Sequence, residues 1–208
     1  MRVVVFGATG SVGRHVVEQG LARGHDFTAF VRDPSGLGLA HEGLTVFQGD
    51  VLDAASVERA VRGQGAVLCS IGAGRKGQVR SEGTRNIVRA MEGAGVRRLV
   101  CQTKLGAGES SGNLNFFWKH FMFGLLLRGA FADHEQQEAH VKRSALDWTI
   151  VRPAAFTDGG GRTGEYRHGF SPSKKGLKLK ISRADVAEFM LDQLTDDAYL
   201  HQTPGLSY

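Results

Sequence analysis

A glycine-rich segment near the start of the chain has the residues needed to bind a phosphate group. Gly7-Ala8-Thr9-Gly10-Ser11-Val12-Gly13 follows a short apolar run and precedes a segment with helical periodicity. In such a turn the first glycine permits a tight bend, the second lets the backbone approach a pyrophosphate, and the third lets the helix pack closely. The start of the helix then directs amide N–H groups at the phosphates. The order of strand, glycines and helix predicts a dinucleotide-binding turn.

The end of the second predicted strand bears on which dinucleotide binds. Sites that prefer NAD place an acidic residue about 20 residues beyond the glycines, where it holds the ribose 2′-hydroxyl. This chain has Arg32 at that position, followed by Asp33. An arginine can bind the 2′-phosphate of NADP through two parallel hydrogen bonds, and Arg14 could assist. We therefore expect NADP(H); the alternative is a solvated Arg32, with Asp33 binding the ribose of NAD(H).

The positions of the tyrosines bear on the type of reduction. Short-chain dehydrogenases that reduce carbonyls use a Tyr-x-x-x-Lys pair, because the alkoxide that forms needs a positioned acid. Phe170 lies four residues after Tyr166, Thr203 lies four residues after Tyr199, and Tyr208 is the last residue. The missing pair argues against an alcohol dehydrogenase, an epimerase or a dehydratase. Hydride addition to a flavin or quinone instead gives a delocalised anion, for which stacking and positioning suffice.

An aromatic segment at residues 116–127 could form one wall of an acceptor site. It is apolar nearly all round, and Phe117, Trp118 and Phe121 are our candidate substrate residues within it. The preceding loop at residues 106–113 is rich in turn formers and could gate the site. The alternative is that the aromatic segment belongs to the core or to a dimer face.

A predicted helix carries His134 and Glu138 four residues apart, with His140 beyond them. We expect no metal site, because no third ligand has the required spacing. His134 is a candidate substrate residue; the alternative is a solvated position on the helix.

Alternating strand and helix patterns must position these residues. Apolar runs predict strands at Val3–Phe6, Phe27–Val31, Leu44–Phe47, Ala66–Ile71, Leu99–Gln102 and Trp148–Val151, the last stopped by Arg152 and Pro153. Periodicity predicts helices at Ser11–Arg23, from Asp53 to about Val61, from about Val79 to Glu92, at Ala132–Arg143 and at Ser182–Leu194. Ser182, with Asp185 three residues on, is the expected cap of the last helix. Residues 177–181 alternate as in a strand, with Lys178 and Lys180 facing water. The pattern predicts an α/β fold with a doubly wound parallel sheet in three layers, a Rossmann fold.

Length and composition fit one domain over residues 1–208, with a small substrate-side segment from about 104–131 and 154–181. The chain has 208 residues, 41% hydrophobic and 23% charged. No apolar run approaches the roughly 20 residues that span a bilayer, so we expect no membrane partner. The net charge is +5, but the arginines are scattered and no aromatic platform accompanies the lysines, so we expect no nucleic acid partner.

Two cysteines, Cys69 and Cys101, fall in strands predicted to be neighbours. We expect buried thiols without a disulfide framework and a cytoplasmic setting. A monomer and a homodimer are both compatible with the sequence.

Five motifs together resemble the atypical short-chain dehydrogenases/reductases with an NmrA-like NAD(P)H-binding domain. They are Val5–Gly13, Val31–Asp33, Gly49–Leu52, Ser81–Val88 and Trp148–Pro153. The chain is most similar to the flavin- and biliverdin-reducing members, whose C-terminal helix resembles Ile181–Leu191. The resemblance covers nearly the whole chain, and residues 116–127 match least.

The resemblance implies roles for particular positions. Gly7, Thr9, Gly10, Ser11 and Val12 would cradle the pyrophosphate, Arg32 would hold the 2′-phosphate, and Asp50 and Val51 would flank the adenine. Ile71, Gly72 and Ala73 would line the ribose and nicotinamide side. Thr103, Lys104, Pro153, Ala154 and Ala155 would face the nicotinamide, with Thr103 and Lys104 as the candidate catalytic residues.

Two positions depart from the reductases of this type. Those reductases carry a serine where Lys104 aligns and a histidine where Ala155 aligns. A lysine there could pair with an anionic substrate or could simply be exposed, and loss of the histidine bears on tetrapyrrole reduction.

The resulting hypothesis is an NADPH-dependent reductase that transfers hydride to a flat conjugated acceptor: a flavin, a quinone or a tetrapyrrole. The alternative is a non-catalytic module that senses NADP(H).

Overall fold

The computed structural model describes residues 1–72, 78–107, 128–157, 159, 161–172 and 174–208. In the range 128–157, side chains are described from residue 132 onward. The strands are β1 (Arg2–Phe6), β2 (Asp26–Val31), β3 (Leu44–Gln48), β4 (Ala66–Cys69), β5 (Arg98–Gln102), β6 (Asp147–Pro153), β7 (Ala155–Phe156), β8 (Arg167–His168), β9 (Lys180–Ile181) and β10 (Gly205–Ser207). The helices are α1 (Gly13–Ala22), α2 (Ala54–Val61), α3 (Val79–Ala94), α4 (Arg128–Lys142) and α5 (Arg183–Asp192). None of the helices in these ranges has the length and apolarity needed to span a bilayer.

One large sheet organises the fold. Its strand order is β3-β2-β1-β4-β5-β6-β10-β8, and a separate small sheet pairs β7 with β9. The neighbours from β3 to β10 are parallel, and only β8 is antiparallel to its neighbour β10. The chain moves outward from β1 to β3 and then returns to β4 on the other side of β1. The crevice at such a reversal, at the carboxyl ends of the strands, is where sheets of this kind bind ligands.

The sheet is covered by helices on both faces, which confirms the predicted three-layer Rossmann fold. Within β1, Val3 and Val5 belong to one buried cluster, together with residues of α1 and α5. Val4 and Phe6 belong to a second buried cluster, with residues of α2, α3 and α4. Because successive strand side chains point to opposite faces, a continuously apolar β1 requires cover on both sides.

The predicted thiol environment is confirmed. Cys69 and Cys101 lie opposite each other on β4 and β5, and both are buried and free.

The predicted stop of the sixth strand at Arg152 is wrong, because β6 continues through Pro153. The amide of Arg152 donates to the carbonyl of Pro204, and the amide of Leu105 donates to the carbonyl of Pro153. Proline lacks an N–H group but retains its carbonyl, so it fits the last position of the strand. Two residues of β10, Gly205 and Leu206, pair with β6 here, and the three-residue strand is too short to show a periodic pattern.

The strand predicted at residues 177–181 has the expected exposure but not the expected length. Lys178 and Lys180 are exposed, and Ile181 is buried. Only Lys180–Ile181 forms a strand, because Leu179 has a φ of 54°. A left-handed residue cannot continue an extended ladder.

The last residue of the chain anchors the start of α5. Ser182 caps the helix as predicted, accepting a hydrogen bond from the amide of Asp185 at 3.0 Å. The Tyr208 hydroxyl accepts from the amide of Ser182 at 3.0 Å and donates to the Asp185 carboxylate at 2.6 Å. Asp185 is fully buried and also accepts hydrogen bonds from Thr163 and Gly164. Thus the chain end, the helix and the segment at 163–164 meet at one carboxylate.

The substitution Tyr208→Phe tests this anchor. It removes the hydroxyl and leaves a backbone N–H and a buried carboxylate each short of a partner, so we expect a loss of about 1–3 kcal/mol in the free energy of unfolding. Urea denaturation measures it. Tyr199→Phe is the matched control, because its hydroxyl contacts the exposed His168 at 2.8 Å, and we expect a change within about 0.5 kcal/mol. Equal losses in the two variants would contradict the assigned role.

Candidate cofactor and substrate site

The turn after β1 is built on close backbone contacts. Gly7 has a φ of 88°, and a side-chain Cβ there would lie 2.3 Å from the carbonyl oxygen of Ser70 at the end of β4. A Cβ at Gly13 would lie 2.1 Å from the carbonyl oxygen of Gly7. The amide of Gly10 donates to that same carbonyl at 2.9 Å. The turn is therefore compressed between β4 and α1, and only glycine fits at its two ends.

The start of α1 is suited to bind an anion. Its cap position, Val12, provides no side-chain hydrogen bond, and no acidic residue lies in the first turn. The N–H groups at the start of a helix have no partner within the helix, and the helix dipole adds a partial positive charge there. A pyrophosphate fits these groups, because nothing negative competes for them at this end of α1.

One end of the crevice forms a cavity of about 500 Å³ over β1, β2 and β3. It is lined by Phe6, Gly7, Thr9, Gly10, Phe30, Val31, Arg32, Asp50, Val51, Leu52, Ile71, Gly72 and Val79. We call this the adenine-side cavity, since it holds the positions predicted to surround the adenine and the 2′-phosphate.

Arg32 and Asp33 differ in what they contact at this cavity. Arg32 is exposed and lines the cavity, whereas Asp33 does not line it. Asp33 caps a short 3₁₀ helix, Pro34–Gly36, and its Oδ1 accepts from the amide of Ser35 at 2.9 Å and from its hydroxyl at 2.8 Å. These hydrogen bonds hold the pKa of Asp33 below its usual value. This arrangement favours Arg32 over Asp33 as the residue that contacts a nucleotide.

The other end of the crevice forms a cavity of about 270 Å³ over β4, β5 and β6. It is lined by Gly10, Ser11, Val12, Ser70, Ile71, Gly72, Arg80, Gln102, Thr103, Lys104, His134, Pro153, Ala154, Ala155 and Phe156. We call this the nicotinamide-side cavity. It shares Gly10, Ile71 and Gly72 with the adenine-side cavity, so the two form one groove across the centre of the sheet.

Thr103 forms the floor of the nicotinamide-side cavity, and a buried ion pair contacts it from below. The Thr103 hydroxyl donates to Oε1 of Glu138 at 2.9 Å, and Nε of Arg152 donates to the same oxygen at 2.8 Å. Nζ of Lys142 lies 3.0 Å from Oε2 of Glu138. Glu138 and Arg152 are 3% and 1% exposed. Burial acts to raise the pKa of Glu138, but Arg152 and Lys142 together lower it below its usual value, so this carboxylate is charged.

The sequence contains a signal for this pair. Arg152 directly follows the apolar run Trp148–Val151, and a fully buried arginine needs an acidic partner. Periodicity identifies the buried position but does not identify Glu138, 14 residues earlier, as the partner.

The alternative given for His134, a solvated position on the helix, is wrong, because the residue is 8% exposed and lines the nicotinamide-side cavity. Its Nδ1 lies 3.1 Å from Oε1 of Gln137, whose amide nitrogen donates to Thr84 at 3.2 Å and to Cys101 at 3.3 Å. Since the Gln137 nitrogen is used as a donor, its oxygen accepts a hydrogen from Nδ1 of His134. Burial, and then the charge of Arg80, lowers the pKa of His134 to about 4, so the ring is neutral at pH 7.

The i, i+4 spacing of His134 and Glu138 has a structural use rather than a metal-binding one, since each side chain has the separate partners given above. Within the described ranges, no group of three or more His, Cys, Asp or Glu residues is arranged to hold a metal ion.

Several predicted residues, namely Ala73, Phe117, Trp118 and Phe121, lie outside the described residues, as does most of the predicted gating loop. An aromatic wall is nevertheless present in the part of the chain that is described. Phe156 lines the nicotinamide-side cavity, and the Arg183 guanidinium lies 5.0 Å from its ring centroid. Arg183 also donates to the carbonyl of Thr157 at 2.6 Å, which fixes the guanidinium against the Phe156 ring. The sequence analysis did not single out Phe156, which follows a proline and belongs to a two-residue strand.

Comparisons with known proteins agree with this geometry. A family model described as NAD(P)H-binding matches residues 7–197. The chain is 28% identical over 210 residues to the UPF0659 protein YMR090W of Saccharomyces cerevisiae, with 93% of this chain and 87% of that protein covered.

Two solved structures are similar over nearly the whole chain. ChuY, an anaerobillin reductase from Escherichia coli, is 28% identical with a TM-score of 0.82, covering 99% of this chain and 96% of that one. A short-chain dehydrogenase/reductase from Veillonella parvula in complex with NADP is 19% identical with a TM-score of 0.81, covering 100% and 94%. At that lower identity, the second match shows that the fold is shared.

The buried His134 ring predicts a pH dependence of stability. Its pKa is about 4 in the folded chain, against an ordinary value of 6.5. The unfolded chain binds this proton more readily, so the free energy of unfolding rises with pH between about 4 and 6.5, and this contribution is lost as the pH falls. Between pH 7 and pH 4.5 it amounts to about 2 kcal/mol.

The variant His134→Gln is compared with the original chain by urea denaturation across this pH range. Its free energy of unfolding should fall less between pH 7 and pH 4.5, by about the amount given above. His15→Gln, at a half-buried position on α1, is the control and should leave the pH dependence unchanged. A His134→Gln slope equal to that of the original chain would refute the neutral, buried ring.

Proposed function

This chain belongs to the NAD(P)H-binding family, and on that premise we propose that it is an NADPH-dependent reductase that transfers hydride to a flat conjugated acceptor. A flavin, a quinone or a tetrapyrrole is such an acceptor. The observation that carries the proposal is the single groove that runs from Arg32 to Phe156 through the glycine turn. One end suits a phosphorylated nucleotide, and the other is lined by Phe156 and would hold the nicotinamide beside the acceptor.

The residues of the groove would bind the cofactor in order along its length. The glycine turn and the amides of Ser11 and Val12 would hold the pyrophosphate. Arg32 would hold the 2′-phosphate, since Asp33 is engaged with Ser35. Asp50 and Val51 would flank the adenine, and Ile71 and Gly72 would line the ribose and nicotinamide side. Thr103, Pro153, Ala154 and Ala155 would face the nicotinamide.

The chemistry available in the nicotinamide-side cavity fits a conjugated acceptor better than a simple carbonyl. NADPH, when bound, supplies a hydride. None of the three tyrosines of the chain lines the described part of the cavity: Tyr166 packs against Phe189, Tyr199 bonds His168, and Tyr208 bonds Asp185. His134 is neutral at pH 7 and its Nδ1 hydrogen is directed at Gln137. With no tyrosine and no protonated histidine lining the described part of the cavity, an acceptor that delocalises the incoming charge and takes its proton from water is favoured.

The two departures from related reductases both lie in this cavity. Ala155 is half-buried and lines it, so no imidazole comes from β7. The cavity does contain an imidazole, that of His134 on α4. The fold and the 28% identity to the anaerobillin reductase ChuY support reductase chemistry. We further propose that residues 1–208 act as one cofactor-binding domain, with 104–131 and 154–181 on the substrate side.

An acceptor panel tests the proposed reaction. NADPH oxidation is followed by absorbance with FMN, a naphthoquinone and biliverdin, each over a range of concentrations. We expect saturable turnover with at least one of them. Binding of NADPH without turnover of any acceptor would contradict the reductase and support a module that senses NADP(H).

Replacing Arg32 tests the cofactor preference. Arg32→Ala should weaken NADPH binding by about 1.5–3 kcal/mol, or roughly 10- to 100-fold, and leave NADH binding nearly unchanged, because only NADPH carries the 2′-phosphate. Titration calorimetry measures both affinities. Arg97→Ala is the control, since Arg97 pairs with Asp147 at the opposite end of β5. Equal losses for NADPH and NADH would contradict the role of Arg32.

A further inference from the structure

We propose that the acceptor carries an anionic oxygen group, a carboxylate or a phosphate, which Lys104 and Arg80 bind at the nicotinamide-side cavity. This inference rests on the proposed reductase function and narrows its substrate class. It makes Lys104, where related reductases have a serine, a residue that determines specificity.

The first observation is the charge of the cavity lining. Lys104 and Arg80 both line the cavity, and none of its described lining residues is acidic. The nearby acid Asp133 does not line it; its carboxylate accepts from the amide of Ser81 at 2.9 Å and from Nη1 of Arg80 at 3.2 Å. Glu138 is held below the floor by Arg152 and Lys142. Lys104 and Arg80 therefore place positive charge at the cavity, with Arg80 shared between the cavity and its ion pair with Asp133.

The second observation is that Lys104 is not simply exposed, which was the alternative for this position. It follows β5 and is half-buried, beside Thr103 on the cavity floor. Burial and the charge of Arg80 lower the pKa of Lys104. Arg80 and Lys104 also both act to lower the pKa of His134. Burial is the largest cause in both cases, and Asp133 opposes the two cations at His134.

The third observation separates these cations from the pyrophosphate. The glycine turn follows β1, whereas Lys104 follows β5, two strands away in the sheet. At the usual strand spacing this places the start of Lys104 roughly 10 Å to the side of the turn. Lys104 directly follows Thr103, which is proposed to face the nicotinamide, and it lines the same cavity as Phe156.

A matched set of flavins isolates the effect of charge. FMN carries a phosphate, carboxymethylflavin carries a carboxylate, and riboflavin is neutral, while all three share one reducible ring system. In the original chain we expect kcat/KM for both anionic flavins to exceed that for riboflavin by about tenfold or more. The excess should shrink as ionic strength rises, because salt screens the attraction.

Two substitutions at one position assign the effect. Lys104→Met, which keeps the length of the side chain, should abolish the preference for anionic flavins, and Lys104→Arg should largely retain it. Lys180→Met, at an exposed position on β9, should leave the preference unchanged. FMN and riboflavin binding in the presence of NADP⁺, measured by calorimetry, should follow the same pattern without any turnover.

The outcomes separate this inference from the proposed function. Equal kcat/KM and equal affinity for charged and neutral flavins in the original chain would overturn it while leaving the reductase intact. A Lys104→Met variant that loses NADPH affinity as strongly as FMN affinity would also overturn it, because Lys104 would then serve the cofactor. Absence of turnover with flavins, a naphthoquinone and biliverdin alike would contradict the reductase, whereas selective FMN binding that depends on Lys104 would still support the anion site.

Discussion

The close approach of the glycine turn to the end of β4 is the constraint on which the rest of the structure depends. Gly7 brings the backbone against the carbonyl of Ser70, and Gly13 brings α1 against the carbonyl of Gly7. This contact fixes the start of α1 at the point where the strand order reverses between β1 and β4. The groove, its two cavities and the exposed helix amides all follow from that placement.

Charge is distributed along the groove in a way that matches its proposed ligands. Arg32 lies at one end, the start of α1 at the middle, and Lys104 and Arg80 at the other end. The buried carboxylate nearest the floor, Glu138, is neutralised by Arg152 and Lys142. The cations of the groove and the start of α1 attract anions, while Asp50 is an acidic residue of the adenine-side cavity.

Much of the fold could be predicted from the sequence, because it depends on local patterns. The alternation of apolar runs and helical periodicity indicates the parallel sheet, the glycines indicate the turn, and Ser182 indicates the start of the last helix. The burial of His134, the hydrogen bonds from Gln137 to Thr84 and Cys101, and the Glu138–Arg152 pair could not be predicted in the same way. These contacts join segments 14 to 50 residues or so apart, and periodicity shows which face is buried without showing what covers it. β10 is too short for any periodicity to appear.

A crystal structure of the protein with NADP⁺ tests the central claim most directly. The account predicts that the pyrophosphate is hydrogen-bonded to the amides of Ser11 and Val12 at the start of α1, with the 2′-phosphate at Arg32. A nucleotide bound elsewhere, or a glycine turn blocked by side chains at saturating NADP⁺, would contradict it.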